Sequence, residues 1–90
     1  MRKAVALRYD RQVNQAPEVV AAGQGLVAER LLEIAKAHGI PRHEDQELVE
    51  ALLKVPVGAE IPPGLYELVA RVLAFVLRME EQEGKKQERA

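Results

Sequence analysis

The side chains with the widest chemical reach in this sequence are His38, His43, Glu44 and Asp45, gathered within eight residues. A metal centre needs three or four such groups to converge on one point. His43 and Glu44 are neighbours, and in an extended stretch neighbours point to opposite faces. The run therefore reads as surface and capping chemistry, with His38 at the end of a helix, where a protonated imidazole favours the helix dipole. Nucleophilic catalysis fares worse. The sequence holds no serine, threonine or cysteine, which removes hydroxyl and thiol nucleophiles, thiolate metal sites and disulfides together. Carboxylates are plentiful, but the only aromatic residues are Tyr9, Tyr66 and Phe75, too few to wall a sugar cleft. Gly23-Gln24-Gly25 sits between a strand-like and a helix-like stretch, where phosphate loops occur. It lacks the third glycine of a dinucleotide fingerprint and the Gly-Lys-Ser/Thr of a P-loop, so it reads as turn chemistry. No cofactor and no enzyme activity are expected.

Charge narrows the partners. The chain has 90 residues, 48% hydrophobic and 30% charged, with 13 basic against 14 acidic side chains and a net charge of -1. That is the composition of a folded domain, without the basic excess that nucleic-acid binding demands. The cations are uneven, however. Arg2, Lys3, Arg8 and Arg11 collect at the N-terminal end and make a candidate protein-facing patch, while Lys85, Lys86 and Arg89 are interleaved with Glu80, Glu81, Glu83 and Glu88. No apolar run approaches the roughly 18 residues of a membrane span. An intracellular protein that meets membranes only through its partners is expected.

These residues must be held by a small set of elements. Val5, Leu7 and Tyr9 alternate with Ala4, Ala6 and Arg8, the period of a strand over 4–9. Residues 10–17 form a connection, with Val13 as a candidate anchor, and a second, mostly apolar strand spans 18–22. A helix near 25–38 carries the stripe Val27, Leu31, Ile34, Ala35 and His38, widened by Ala28 and Leu32. Gly39 suits the left-handed residue that closes a helix, with Ile40 folding back onto the last turn, and Pro41 blocks continuation. Residues 41–44 are the natural place for a return strand, parallel to 18–22 by a right-handed crossover. Asp45 suits an N-cap for a helix over 46–54 with Leu48, Val49, Leu52 and Leu53 inward. Val57 and Ile61 are candidate anchors of a proline-rich connection. Pro63 opens a helix over 63–80 marked by Leu65, Leu68, Val69, Val72, Leu73, Val76 and Met79. The fold class is small α/β: a mixed sheet of about three strands packed with three helices, one domain over 1–80, and a polar tail over 81–90 that should fray.

Several segments, in order, resemble one family. They are Ala4-Val5-Ala6-Leu7-Arg8-Tyr9-Asp10, Ala16-Pro17-Glu18-Val19-Val20-Ala21-Ala22-Gly23, the helix ending Ile34-Ala35-Lys36-Ala37-His38-Gly39-Ile40-Pro41, Leu48 to Leu53, Val57-Gly58-Ala59-Glu60-Ile61-Pro62, and Leu65 to Val76. Their order and spacing over about residues 4–79 are similar to the cytoplasmic domain of the flagellar export protein FlhB and its injectisome relatives such as YscU. Family members carry a membrane domain and cleave themselves between Asn and Pro of an Asn-Pro-Thr-His loop, which lies just before the strand corresponding to residues 4–9. Only Met1-Arg2-Lys3 precedes that strand here. Asn14 is followed by Gln15, so the cyclisation chemistry has no substrate.

The resemblance thus implies the fold and an export context without autoproteolysis. It implies a non-enzymatic accessory factor of a flagellar or type III export apparatus that recognises protein partners: export-gate components, a truncated FlhB-type protein whose cleaved piece it replaces, or export substrates and their chaperones. Its place would be cytoplasmic, peripheral to the membrane export apparatus. The alternatives are an unrelated small α/β adaptor or a small-ligand-binding enzyme. Because the family's preceding strand has no counterpart, the edge near 4–9 is expected to be unpaired. Val5, Leu7, Arg8, Tyr9 and Arg11 are the candidate interaction residues there. Arg42 and His43, ahead of the acidic Glu44, depart from the family's aliphatic habit, and Arg42, His43 and Glu44 join them as candidates.

Overall fold

Alternation of large and small side chains decides the centre of the molecule. In the computed structural model, which describes residues 1–76, β1 (Lys3–Arg8) and β2 (Glu18–Gln24) pair antiparallel, with Ala4 opposite Gly23, Val5 opposite Ala22 and Leu7 opposite Val19. One face of this ribbon presents Val5, Leu7, Val19 and Ala22, which pack into the core with Ala16, Leu48, Leu52, Ile61 and Val69. The other face presents the small Ala4, Ala6, Ala21 and Gly23, with Arg8 and Glu18 at one end. A bulge between Ala6 and Leu7 shifts the register by one residue, leaving Val20 without a partner and strengthening the local twist.

The two faces collect different helices. α1 (Leu26–Ala37) lies on the small face and packs against both strands. A side chain at Gly23 would run into Val27, so the helix can approach only where the strand has no Cβ. α2 (Gln46–Leu52) and the helix α3, which follows a 3-10 turn at Pro63–Leu65 and runs from 66 to 76, cover the large face. The result is an α/β sandwich of three helices on one small sheet.

Local signals hold where they concern termini. The Asp45 carboxylate accepts from the Leu48 N–H at 3.1 Å and caps α2. Gly39 has φ 66, and the Gly39 and Ile40 N–H groups bond back to the Lys36 and Ala35 carbonyls, which satisfies two end carbonyls of α1.

Four expectations are corrected. Residues 41–44 are not a strand, and among the described residues the sheet has two strands and no parallel pair; the third place is taken by an antiparallel bridge between Glu18 and Glu60. The Val19 N–H donates to the Ala59 carbonyl (2.9 Å), the Gly58 N–H to Val19 (2.7 Å) and the Ile61 N–H to Pro17 (2.8 Å). The segment 58–61 thus fills the β2 edge that a return strand would have used. The α1 stripe is also rotated: Ala28 is fully buried, whereas Val27 and Ile34 are 55% and 39% exposed, because an alanine-and-glycine sheet face admits the helix's small side. Val13 is 76% exposed, and the 10–17 loop is anchored instead by buried Ala16 and Asn14, whose Oδ1 accepts from the Asp10 N–H. Of the two linker anchors only Ile61 is buried; Val57 is exposed. The polar tail over 81–90 and the end of the last helix lie outside the described residues.

Candidate protein-binding edge

The geometry of β1 follows from a single bond at its start. The Arg2 carbonyl accepts from the Gly25 N–H at 2.7 Å, so Arg2 faces β2. In an antiparallel pair successive residues turn their polar groups alternately toward and away from the partner. Ala4, Ala6 and Arg8 therefore face β2, and the N–H and C=O of Lys3, Val5 and Leu7 face outward. The bonds on the far side of β2 agree, since Val19, opposite Leu7, turns both its groups away from β1 to the 58–59 segment. Among the described residues no strand pairs with the outer edge of β1. An open row of donors and acceptors is a template for another extended segment.

The side chains at this edge are divided by face. Val5 and Leu7 are half-buried and pack on the core, so they hold the strand and offer their backbone. Arg8 is exposed and reaches Glu18, opposite it on β2, at 3.4 Å. Lys3 donates to the Glu50 carboxylate of α2 at 2.9 Å, and this hydrogen bond and charge hold the Glu50 carboxyl below its usual range. Tyr9 and Arg11 are exposed at the far end, in the turn where the Asp10 side chain accepts from the Gln12 N–H.

The second group of candidates lies elsewhere in the chain. Arg42 pairs with Glu44 at 3.2 Å, and the His43 ring meets Phe75 edge-on, with centroids 5.9 Å apart. The structure links the two groups through Arg2, a member of the N-terminal basic patch. Arg2 lines an open groove of about 630 Å³ together with Glu29, Leu32 and Lys36 of α1, and with Ile40 and Arg42. Its basic character was visible in the sequence; its place at the strand's outer end required the Gly25 bond. His38 remains a helix C-cap. Gly23 and Gln24 end β2, and only Gly25, at φ 62, forms the turn into α1. Among the described residues no three His, Asp or Glu side chains gather where an ion could sit. No helix among the described residues is long and apolar enough to cross a membrane.

Three relatives fit this architecture. The chain is 44% identical to the Bacillus subtilis protein YlqH over 81 residues, which covers 90% of this chain and 87% of that one. It is 44% identical to the flagellar biosynthetic protein FlhB of Salmonella typhimurium over 77 residues, 84% of this chain but 20% of FlhB; it therefore spans about a fifth of that relative. Among solved structures it superposes on the PscU C-terminal domain with a TM-score of 0.77 at 32% identity, covering 81% of this chain and 94% of that one. A family model described as FlhB HrpN YscU SpaS matches residues 1–76. The chain belongs to this family, and its fold is that of the FlhB-type C-terminal domain.

Proposed function

We propose that this domain serves a flagellar or type III protein export apparatus as an accessory factor, docking an extended segment of a partner on the outer edge of β1. Family membership supports the export context. The observation that carries the docking mode is the outward row of Lys3, Val5 and Leu7 backbone groups, which no described residue uses. The partners in view are an export-gate protein, a truncated FlhB-type protein, or an export substrate with its chaperone.

Calorimetry of the full chain against the cytoplasmic domain of the host's FlhB-type protein, and against purified export substrates, tests this reading. Binding is expected together with slowed amide exchange at Val5 and Leu7. Lys3→Pro removes an outward donor at the first residue of the strand, where proline is tolerated, and should weaken binding relative to Lys3→Ala, which loses only the Glu50 contact. Failure of all these partners to bind, with normal export in a deletion strain, overturns the export role. Binding without protection of Val5 and Leu7 overturns the docking mode alone.

A further inference from the structure

The α1-facing side of the β1 edge reads Arg2, Ala4, Ala6, Arg8: two cations bracketing two alanines. Arg2 is exposed and has no ion pair among the described residues; the Arg8 side chain is 63% exposed and holds both Glu18 carboxylate oxygens at 3.4 and 3.5 Å. Directly opposed residues on a neighbouring strand put their Cβ atoms about 4.5–5.5 Å apart, so like charges repel there and opposite charges attract. The alanine side chains are short, so β1 itself fills little of that side, and the groove beside Arg2 is lined by the apolar Leu32, Ala35 and Ile40 together with Glu29, Glu33, Lys36 and Arg42.

The same pattern disfavours a second copy of this chain. An antiparallel two-fold centred on Val5 is the register that matches all the outward groups of Lys3, Val5 and Leu7 with their own copies. It sets Arg2 against Arg8 at both ends and Ala4 against Ala6 between, which joins repulsion to a hole. From this complementarity, and resting on the docking reading above, we infer that the edge selects an extended protein segment whose α1-facing residues run acidic, large apolar, large apolar, acidic. The edge rejects its own copy.

Three blocked seven-residue peptides test this: Glu-Thr-Val-Thr-Val-Thr-Glu, its Gln-ended analogue and its Lys-ended analogue, each titrated into the full chain with amide exchange read at Val5 and Leu7. The Glu-ended peptide should bind about tenfold more tightly than the Lys-ended one at low salt, with the gap closing as ionic strength rises, because exposed charges are screened within about 8–10 Å at ordinary salt. Arg2→Glu should narrow or reverse the preference, and Arg2→Glu with Arg8→Glu should reverse it. Arg2→Glu alone keeps the test valid if the double variant fails to fold. Equal binding of the three peptides with Val5 and Leu7 protected overturns the acidic preference and leaves strand docking standing. No protection by any peptide at millimolar concentration overturns both. A dimer seen by sedimentation in peptide-free solution, with those amides protected, overturns rejection of self.

Discussion

The two outer edges of this small sheet are made of similar backbone and have opposite fates. On β2, the segment 58–61 delivers hydrogen bonds to Pro17 and Val19 and drives Ile61, 2% exposed, into the core. On β1, the corresponding groups of Lys3, Val5 and Leu7 meet no described strand, and the flanking side chains are charged. The difference lies in what else the covering segment contributes. Residues 58–61 bring an apolar anchor with their backbone, so closing that edge also completes the core. No described segment brings its backbone and an apolar anchor together to the outer edge of β1. An edge closed by its own chain is structural; the edge left open beside basic residues is the one the docking proposal uses.

The comparison breaks first at its closed side. Ile61→Ala should destabilise the domain by about 2–5 kcal/mol, the range for truncating a buried Ile. Chemical denaturation measures it, and the Val19 amide should lose exchange protection in step. A loss below about 1 kcal/mol would mean that 58–61 is dispensable to the fold. Gly23→Ala tests why α1 can lie on the sheet at all. The added methyl meets Val27, and overpacking of this kind costs about 1–3 kcal/mol. The double variant with Val27→Ala should recover only part of it, because the overlap with Cγ1 goes while the Cβ of residue 27, 2.7 Å from the added methyl, remains.

Two proline variants sharpen the comparison along β1 itself. The Arg8 N–H faces β2, so Arg8→Pro breaks the internal ladder and should lower the melting temperature. Lys3→Pro removes only an outward donor and should change stability little more than Lys3→Ala does. Equal losses for the two prolines would contradict the assigned alternation. The smallest effect is electrostatic. The folded-state pKa of Glu50 is held below its unfolded value by Lys3, so the pair's contribution is present above the unfolded pKa and is lost as pH falls through the folded one. With both groups part-exposed the contribution is small. An NMR titration of Lys3→Ala should show the Glu50 carboxyl rising toward the ordinary glutamate range; an unmoved titration would break the pairing.

Much of this was legible without coordinates, for reasons that differ by element. The strand over 4–9 showed because its two faces differ in side-chain size. The Asp45 cap and the Gly39 closure showed because they depend on one residue and its immediate neighbours. The missed elements share a dependence on distant chain. Residues 41–44 have nothing local that distinguishes a strand from an extended connection, and the sheet place assigned to them is held by residues about 15 positions later, at 58–61. Val27 and Ile34 satisfy a helical period as well as Ala28 does, so period alone could not tell which side of α1 is inward. Val13 is apolar in a polar loop, which made it the obvious anchor, but the turn around Asp10 and Asn14 directs the chain so that Ala16 reaches the core instead.

The sequence by itself determined the elements whose cause is short-range, the lack of nucleophiles, and the ordered set of segments that marks the family. It also placed a basic cluster next to the first strand. Tertiary structure decided which edge of that strand is open, because outward direction is set by the Gly25–Arg2 bond and the pairing with β2. It likewise decided that Arg2 and Arg42, 40 residues apart in sequence, share one groove. Side-chain type and period travel with the local chain, whereas a sheet edge is defined by what the rest of the molecule brings to it.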